Sequence, residues 1–214
     1  NRILFGTGAS ALFFSNAERL GIAAGKADTV ILPLNSDDIT SGVETAVRKN
    51  KNLRIFIRED AAADCAKKEK LLRVRNGLPQ SFYKSDKYNI FRFERFTEVC
   101  KDFYLVAADK KEKSAETDRH YYIKKKGFYV ADDFSEECFA VCFPKRRRDG
   151  FVILTGGAYT GIAGIVNTAK RLWNAPVLSV VGCFGYTNQS GKLISSQGSI
   201  TQIGRGHVCT PVKN

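Results

Sequence analysis

The chain has 214 residues, a formal net charge of +12, and 43% hydrophobic residues, with 15 Phe and 8 Tyr. That apolar content excludes global disorder and allows one large domain, or one domain with an insertion. The charge favours a polyanionic partner: nucleotide, nucleic acid or a phosphate-rich surface. No apolar run approaches the roughly 18–20 residues needed to cross a bilayer, so no membrane partner is expected. Asn1 and Arg2 lead into a strand-like segment without a signal-peptide pattern. The six cysteines are scattered through apolar contexts and read as reduced core thiols of a cytoplasmic protein.

In chain order, Ile3-Leu4-Phe5 is a first strand, followed by the turn Gly6-Thr7-Gly8-Ala9-Ser10 and a helix over 11–20. Residues 29–34 give a second strand ending at the polar cluster Asn35-Ser36-Asp37-Asp38. A helix capped by Asp38 or Ser41 then leads to a third strand over 53–57. The middle is less regular. Residues 61–74 read as a helix with a basic face, Asn76-Gly77-Leu78-Pro79 as a turn, and 103–108 as a strand. Tyr121-Tyr122-Ile123 and Gly127-Phe128-Tyr129-Val130, separated by Lys124-Lys125-Lys126, form a hairpin or edge pair. Phe151-Val152-Ile153-Leu154 is apolar without alternation, as in a strand covered on both faces. Thr155-Gly156-Gly157 makes the next turn, a helix runs from after Thr160 to Trp173, and 176–181 is again a strand. Short strands are expected at 192–194 and 199–203.

This order predicts an α/β fold: a Rossmann-like, mainly parallel sheet with helices on both faces and a mixed α+β middle insertion. Residues 1–60 supply its first βαβαβ part, 61–149 the insertion, and 150–214 the completing strand-turn-helix-strand and tail.

A strand that feeds a helix through a glycine turn aims backbone N–H groups at an anion. On that basis Thr155, Gly156, Gly157, Thr160 and Gly161 are expected to cradle a phosphate or ribose. Gly6, Thr7, Gly8 and Ser10 would form the opposite lip, and Arg146, Arg147 and Arg148 would neutralise charge. The plainer alternative is a pair of tight turns whose glycines only permit close packing. An acidic residue after the second strand suits a ribose hydroxyl, although helix capping is the commoner role. The full GxGxxG is absent, and no GK[ST] follows a glycine turn, which excludes a Walker loop. Glycines replace the acidic pair that a phosphoribosyltransferase needs before its TG. Cys138-x3-Cys142 with His207-x-Cys209 would supply zinc donors, but the usual C-x2-C spacing is missing. No catalytic residue, metal or resident cofactor is assigned.

The segment Leu154-Thr155-Gly156-Gly157-Ala158-Tyr159-Thr160-Gly161-Ile162 resembles the glycine turn of the SLOG superfamily, which includes LOG enzymes and the cytosolic domains of TRPM channels. Gly156, Gly157, Gly161 and Gly164 occupy its glycine places. The same turn, taken with residues 5–10, is similar to the two turns of CARF domains, though Ala158-Tyr159 stands where those carry Thr-Lys. The SLOG resemblance implies a nucleotide or NAD-derived ligand. The CARF resemblance implies a cyclic oligonucleotide bound across a homodimer. Together they lead to an expected nucleotide second-messenger binder. Were it to cleave its ligand, it would be a nucleotide hydrolase, a ring-nuclease-like phosphodiesterase or an N-glycosidase. A basic nucleic-acid binder is the alternative, with Tyr121, Tyr122, Phe128 and Tyr129 stacking on bases beside Lys124, Lys125 and Lys126.

Overall fold

The computed structural model describes residues 1–62, 64–109, 121–146 and 149–184. The elements are β1 (Ile3–Phe5), α1 (Leu12–Arg19), β2 (Thr29–Ile31), α2 (Asp37–Thr40), α3 (Val43–Lys49), β3 (Arg54–Arg58), β4 (Cys65–Glu69), β5 (Leu72–Asn76), α4 (Gln80–Tyr83) and β6 (Asn89–Phe93). They continue with β7 (Phe96–Cys100), β8 (Phe103–Ala107), β9 (Tyr121–Lys125), β10 (Phe128–Ala131), β11 (Cys138–Cys142), β12 (Phe151–Thr155), α5 (Ile162–Trp173) and β13 (Val177–Gly182). The chain clusters into two compact units, Asn1–Glu94 with Arg119–Glu136, and Arg95–Asp118 with Glu137–Asn214.

The first unit holds a parallel sheet in the order β1-β2-β3-β6. Helices cover one face of its central strands. Val30, Leu32, Ile55 and Ile57 pack with Phe14 and Ala17 of α1 and with Val43 and Ala46 of α3 in one buried cluster. Residues 3–58 run in the order β1-α1-β2-α2-α3-β3.

A second sheet in this unit, β10-β9-β4-β5, is antiparallel throughout. It replaces the helix expected over 61–74. That segment is rich in Ala, Lys and Glu, which favour helix, yet Leu72-Arg73-Val74-Arg75 alternates with period two and Lys70 turns the chain at φ 53°. β4 pairs with β5 along its length and with β9 at Cys65–Lys67, and this tertiary gain overrides the local preference.

The second unit carries a mixed sheet in the order β13-β12-β11-β8-β7. Only β12 and β13, joined through α5, are parallel; β11 is antiparallel to both β12 and β8. β11 was not anticipated. Its sequence, Cys138-Phe139-Ala140-Val141-Cys142, is buried without alternation and lies in the middle of the sheet. Phe139, Val141, Phe151 and Ile153 meet Ile165 and Ala169 of α5 in the core. The architecture is therefore three sheets, one parallel, one antiparallel and one mixed, instead of a mainly parallel Rossmann-like sheet. Among the described residues no helix is long and apolar enough to cross a membrane.

Candidate functional sites

The turn after β12 has the shape of an anion cradle, and the protein's own Glu137 fills it. This carboxylate is 1% exposed. Its Oε1 accepts the Tyr159 N–H at 3.0 Å, and its Oε2 accepts the Thr160 N–H at 2.8 Å and the Thr160 hydroxyl at 2.7 Å. Burial pushes the Glu137 carboxyl above its ordinary range, while these donors pull the other way. Gly161 sits at φ 100°, a conformation that favours glycine, and its N–H closes back onto the Ala158 carbonyl at 3.0 Å. Thr155 belongs to the ladder between β11 and β12 and keeps a buried hydroxyl without a hydrogen-bond partner. Gly156 and Gly157 lead into this turn; of the N–H groups expected to hold a phosphate, that of Thr160 serves the internal carboxylate and that of Gly161 the Ala158 carbonyl.

The turn after β1 is closed in a different way. Gly6 donates its N–H to Ile31 O at 2.8 Å, and Thr7 donates both N–H and hydroxyl to Ile39 O, at 2.7 and 2.9 Å. Gly8 O accepts the Gly42 N–H at 3.3 Å, and Ser10 Oγ accepts the Leu12 N–H at the start of α1. The expected lip is a seam to residues 36–42. The two turns belong to different units. Arg146 is exposed on the surface, and Arg147 and Arg148 lie outside the described residues.

The polar cluster after β2 is also spent on structure. Asn35 Oδ1 accepts the Leu78 N–H at 2.8 Å, and Asp37 Oδ1 accepts the Gly77 N–H at 2.8 Å. Asp37 Oδ2 pairs with Lys67 at 3.4 Å. These bonds fasten the loop to the 76–78 turn, which is the plain structural role rather than ribose binding.

Two features escaped the sequence reading. The first is a buried donor cluster in the first unit. Cys65 Sγ and carboxylate oxygens of Asp132 and Glu136 all lie within 4.8 Å of one another, at residue exposures of 3, 8 and 2%. Burial pushes the Cys65 thiol up, and the charges of Glu136 and Asp132 add to it. Tyr83 is buried beside them: burial, then the charges of Cys65 and Glu136, raise its phenol, whose Oη has no hydrogen-bond partner. No short motif signals this cluster, because β4 pairing with β9, Cys65 opposite Ile123, joins residues far apart in the chain. Of the donors weighed from the sequence, Cys138 and Cys142 lie on β11 in the other unit, and His207 and Cys209 lie outside the described residues.

The second feature is a sorting of charge by the pleat of the antiparallel sheet. Register sets Lys68 opposite Arg73, Ala66 opposite Arg75 and Tyr122, and Lys124 opposite Tyr129, so these residues share one face. No carboxylate among the described residues pairs with Lys68, Arg73, Arg75 or Lys124. The Arg73 guanidinium lies 4.6 Å from the Tyr122 ring centre and 5.9 Å from that of Tyr129. A shallow cleft of about 480 Å³ beside it is lined by Lys68, Leu71, Leu72, Arg73, Tyr122 and Tyr129. The ion pairs fall on the opposite face: Lys67 with Asp37 and Glu69, and Lys125 with Asp133.

No family model and no curated protein matches the chain. Solved structures do. A metal-dependent hydrolase of the β-lactamase superfamily superposes with a TM-score of 0.74 at 24% identity, over 94% of this chain and 71% of that one. A quorum-quenching N-acyl homoserine lactone lactonase gives 0.51 at 13% identity, over 90% and 78%. A B3 metallo-β-lactamase with an active-site glutamic acid gives 0.51 at 9%, over 94% and 75%. The chain has the metallo-β-lactamase fold. This overturns the SLOG and CARF resemblance and the Rossmann-like sheet drawn from it. It also overturns the second-messenger function: Gly6, Thr7, Thr160 and Gly161 of the turns that were to hold the nucleotide donate within the chain, and the three similar structures are those of a metal-dependent hydrolase, a lactonase and a β-lactamase.

Does the chain fit a hydrolytic metal? A catalytic zinc keeps one coordination position open to water and substrate. Among the described residues the three-donor group is Cys65, Asp132 and Glu136, and it is sealed from solvent. The chain has two histidines in all, His120 and His207, both outside the described residues. The donor set does not fit an open hydrolytic centre.

Proposed function

We propose that this protein uses the metallo-β-lactamase fold as a binding scaffold. In this reading it engages a polyanionic partner that carries planar rings, on the basic face of the β10-β9-β4-β5 sheet, and performs no hydrolytic step. One observation supports the reading above the others: Lys68, Arg73, Arg75 and Lys124 share a face with Tyr122 and Tyr129, and no described carboxylate neutralises them. Unneutralised cations beside aromatic rings suit a phosphate backbone with stackable groups. The net charge of +12 adds long-range attraction for such a partner.

The test is fluorescence anisotropy with a labelled single-stranded oligonucleotide across a salt series. Four phosphate contacts predict a slope of log K against log salt of roughly −3. Arg73→Glu with Lys124→Glu is expected to weaken binding by at least tenfold and flatten the slope. Tyr122→Ala should weaken the oligonucleotide while leaving heparin, a polyanion without planar bases, little changed. Binding that ignores the charge reversals refutes the reading. So does chelator-sensitive hydrolysis of a lactone or ester by the purified protein.

A further inference from the structure

The buried group in the first unit is made of donors that differ in softness but share one small volume. We propose that Cys65, Asp132 and Glu136, with the Tyr83 hydroxyl facing them, form a closed structural site for one divalent ion of the zinc class. It would fasten the start of β4 to the segment that follows β10.

Four observations converge on it. The ligand atoms of Cys65, Asp132 and Glu136 lie within 4.8 Å of one another. Tetrahedral zinc bonds of about 2.0–2.3 Å put neighbouring donors roughly 3.3–3.6 Å apart, so the cluster needs only a small contraction. All three residues are buried, as in structural zinc sites and unlike catalytic ones. Tyr83 is 3% exposed and its Oη has no hydrogen-bond partner, a costly arrangement that a cation or its ligand shell would relieve. Finally, three groups of acidic character crowd a low-dielectric space, where a divalent charge offsets them better than protons do.

The donor set also selects the ion. A thiolate favours zinc-class metals over magnesium or calcium, which prefer oxygen alone. On binding, the Cys65 S–H bond breaks, the sulfur keeps the electron pair and bonds the metal, and the proton leaves to solvent. Asp132 stays oriented by the Phe134 N–H, which it accepts at 2.8 Å. The site is independent of the polyanion-binding face, since Cys65 and Tyr122 lie on opposite faces of the sheet.

The experiment strips the whole protein with a chelator and titrates it with Zn²⁺ and with Co²⁺. One equivalent of each is expected to bind, and Co²⁺ should give a near-ultraviolet sulfur-to-metal charge-transfer band. A hundredfold excess of Zn²⁺ over its Kd should raise Tm by roughly 5–10 °C. Cys65→Ser should abolish the band, and Asp132→Asn should weaken binding at least tenfold while keeping it. Circular dichroism establishes that each variant is folded, and the wild-type band and stoichiometry stand as a test even where a variant is not. Absence of stoichiometric binding overturns the proposal, and would mean that the cluster holds protons only. A band that survives Cys65→Ser but is lost in Cys183→Ser overturns it too, by placing the metal elsewhere.

Discussion

The turns after β1 and β12 look alike in the sequence, each a short strand running through glycines and a threonine into a helix. Both present backbone donors, and each spends some of them within the chain. What differs is the acceptor. The first turn gives its N–H groups to the neutral carbonyls of Ile31 and Ile39, while the second gives them to the buried, ionisable carboxylate of Glu137. The lesson is that a glycine turn advertises donors without saying who takes them. A neutral acceptor yields a seam indifferent to pH, and a carboxylate yields one that titrates.

That contrast can be broken by mutation. Glu137→Ala strands the part-buried Tyr159 N–H, the buried Thr160 N–H and the Thr160 hydroxyl, and is expected to cost about 3–5 kcal/mol. The loss should show in urea denaturation followed by the fluorescence of Trp173, the chain's one tryptophan, which lies among Phe96, Tyr104, Phe143 and Phe151 in the same unit. In the first turn, Gly42→Ala drives a Cβ into the backbone oxygen of Thr7. A cost of about 2 kcal/mol is expected, read as a lower Tm. Thr7→Val removes only the hydroxyl bond to Ile39 O, because the Thr7 N–H keeps that acceptor. Here about 1 kcal/mol is expected.

The smallest effect sharpens the comparison most. Glu137 has a folded pKa raised above its ordinary 4.5, so the folded state binds more protons than the unfolded one across the interval between the two values. Its contribution is fully present below pH 4.5 and is lost as pH rises through the raised folded value. Glu137→Gln should remove that part of the pH dependence of Tm. Thr7→Val should leave the pH profile of the wild type unchanged in shape. Equal pH profiles for wild type and Glu137→Gln would show that the second turn is as neutral as the first.

Much of the local structure was legible in residue patterns. The apolar runs of β1, β2, β3 and β12, the hairpin of β9 and β10, and α5 with β13 stand where periodicity and turn residues put them. The misreadings have specific causes. Residues 65–76 carry helix-favouring side chains, and only the pairing of β4 with β5 and β9 shows the alternation to be structural. β11 is a five-residue buried run with no turn signature of its own, and it separates β12 from β8 in a sheet expected to be parallel. Glu136 and Glu137 are charged neighbours in the sequence, yet both are buried and they belong to different units. The tyrosines and lysines of 121–130 were read as one group, whereas the pleat divides them: Tyr122, Lys124 and Tyr129 on one face, Tyr121 and Lys125 on the other.

The sequence by itself determined where β1, β2, β3, β12, β13, the hairpin of β9 and β10, the glycine turns and the last long helix fall, and that the molecule is strongly basic. Those properties follow from side-chain periodicity, glycine placement and charge count, all of which act over a few residues or are additive. Only the tertiary structure decided strand direction across the mixed sheet, which acceptor fills each turn, which cations have no carboxylate among the described residues, and that Cys65 meets Asp132 and Glu136. A hydrogen bond or a shared ligand volume demands positions correct to a few tenths of an ångström. Such positions are set by the register between strands far apart in the chain, which local patterns do not encode.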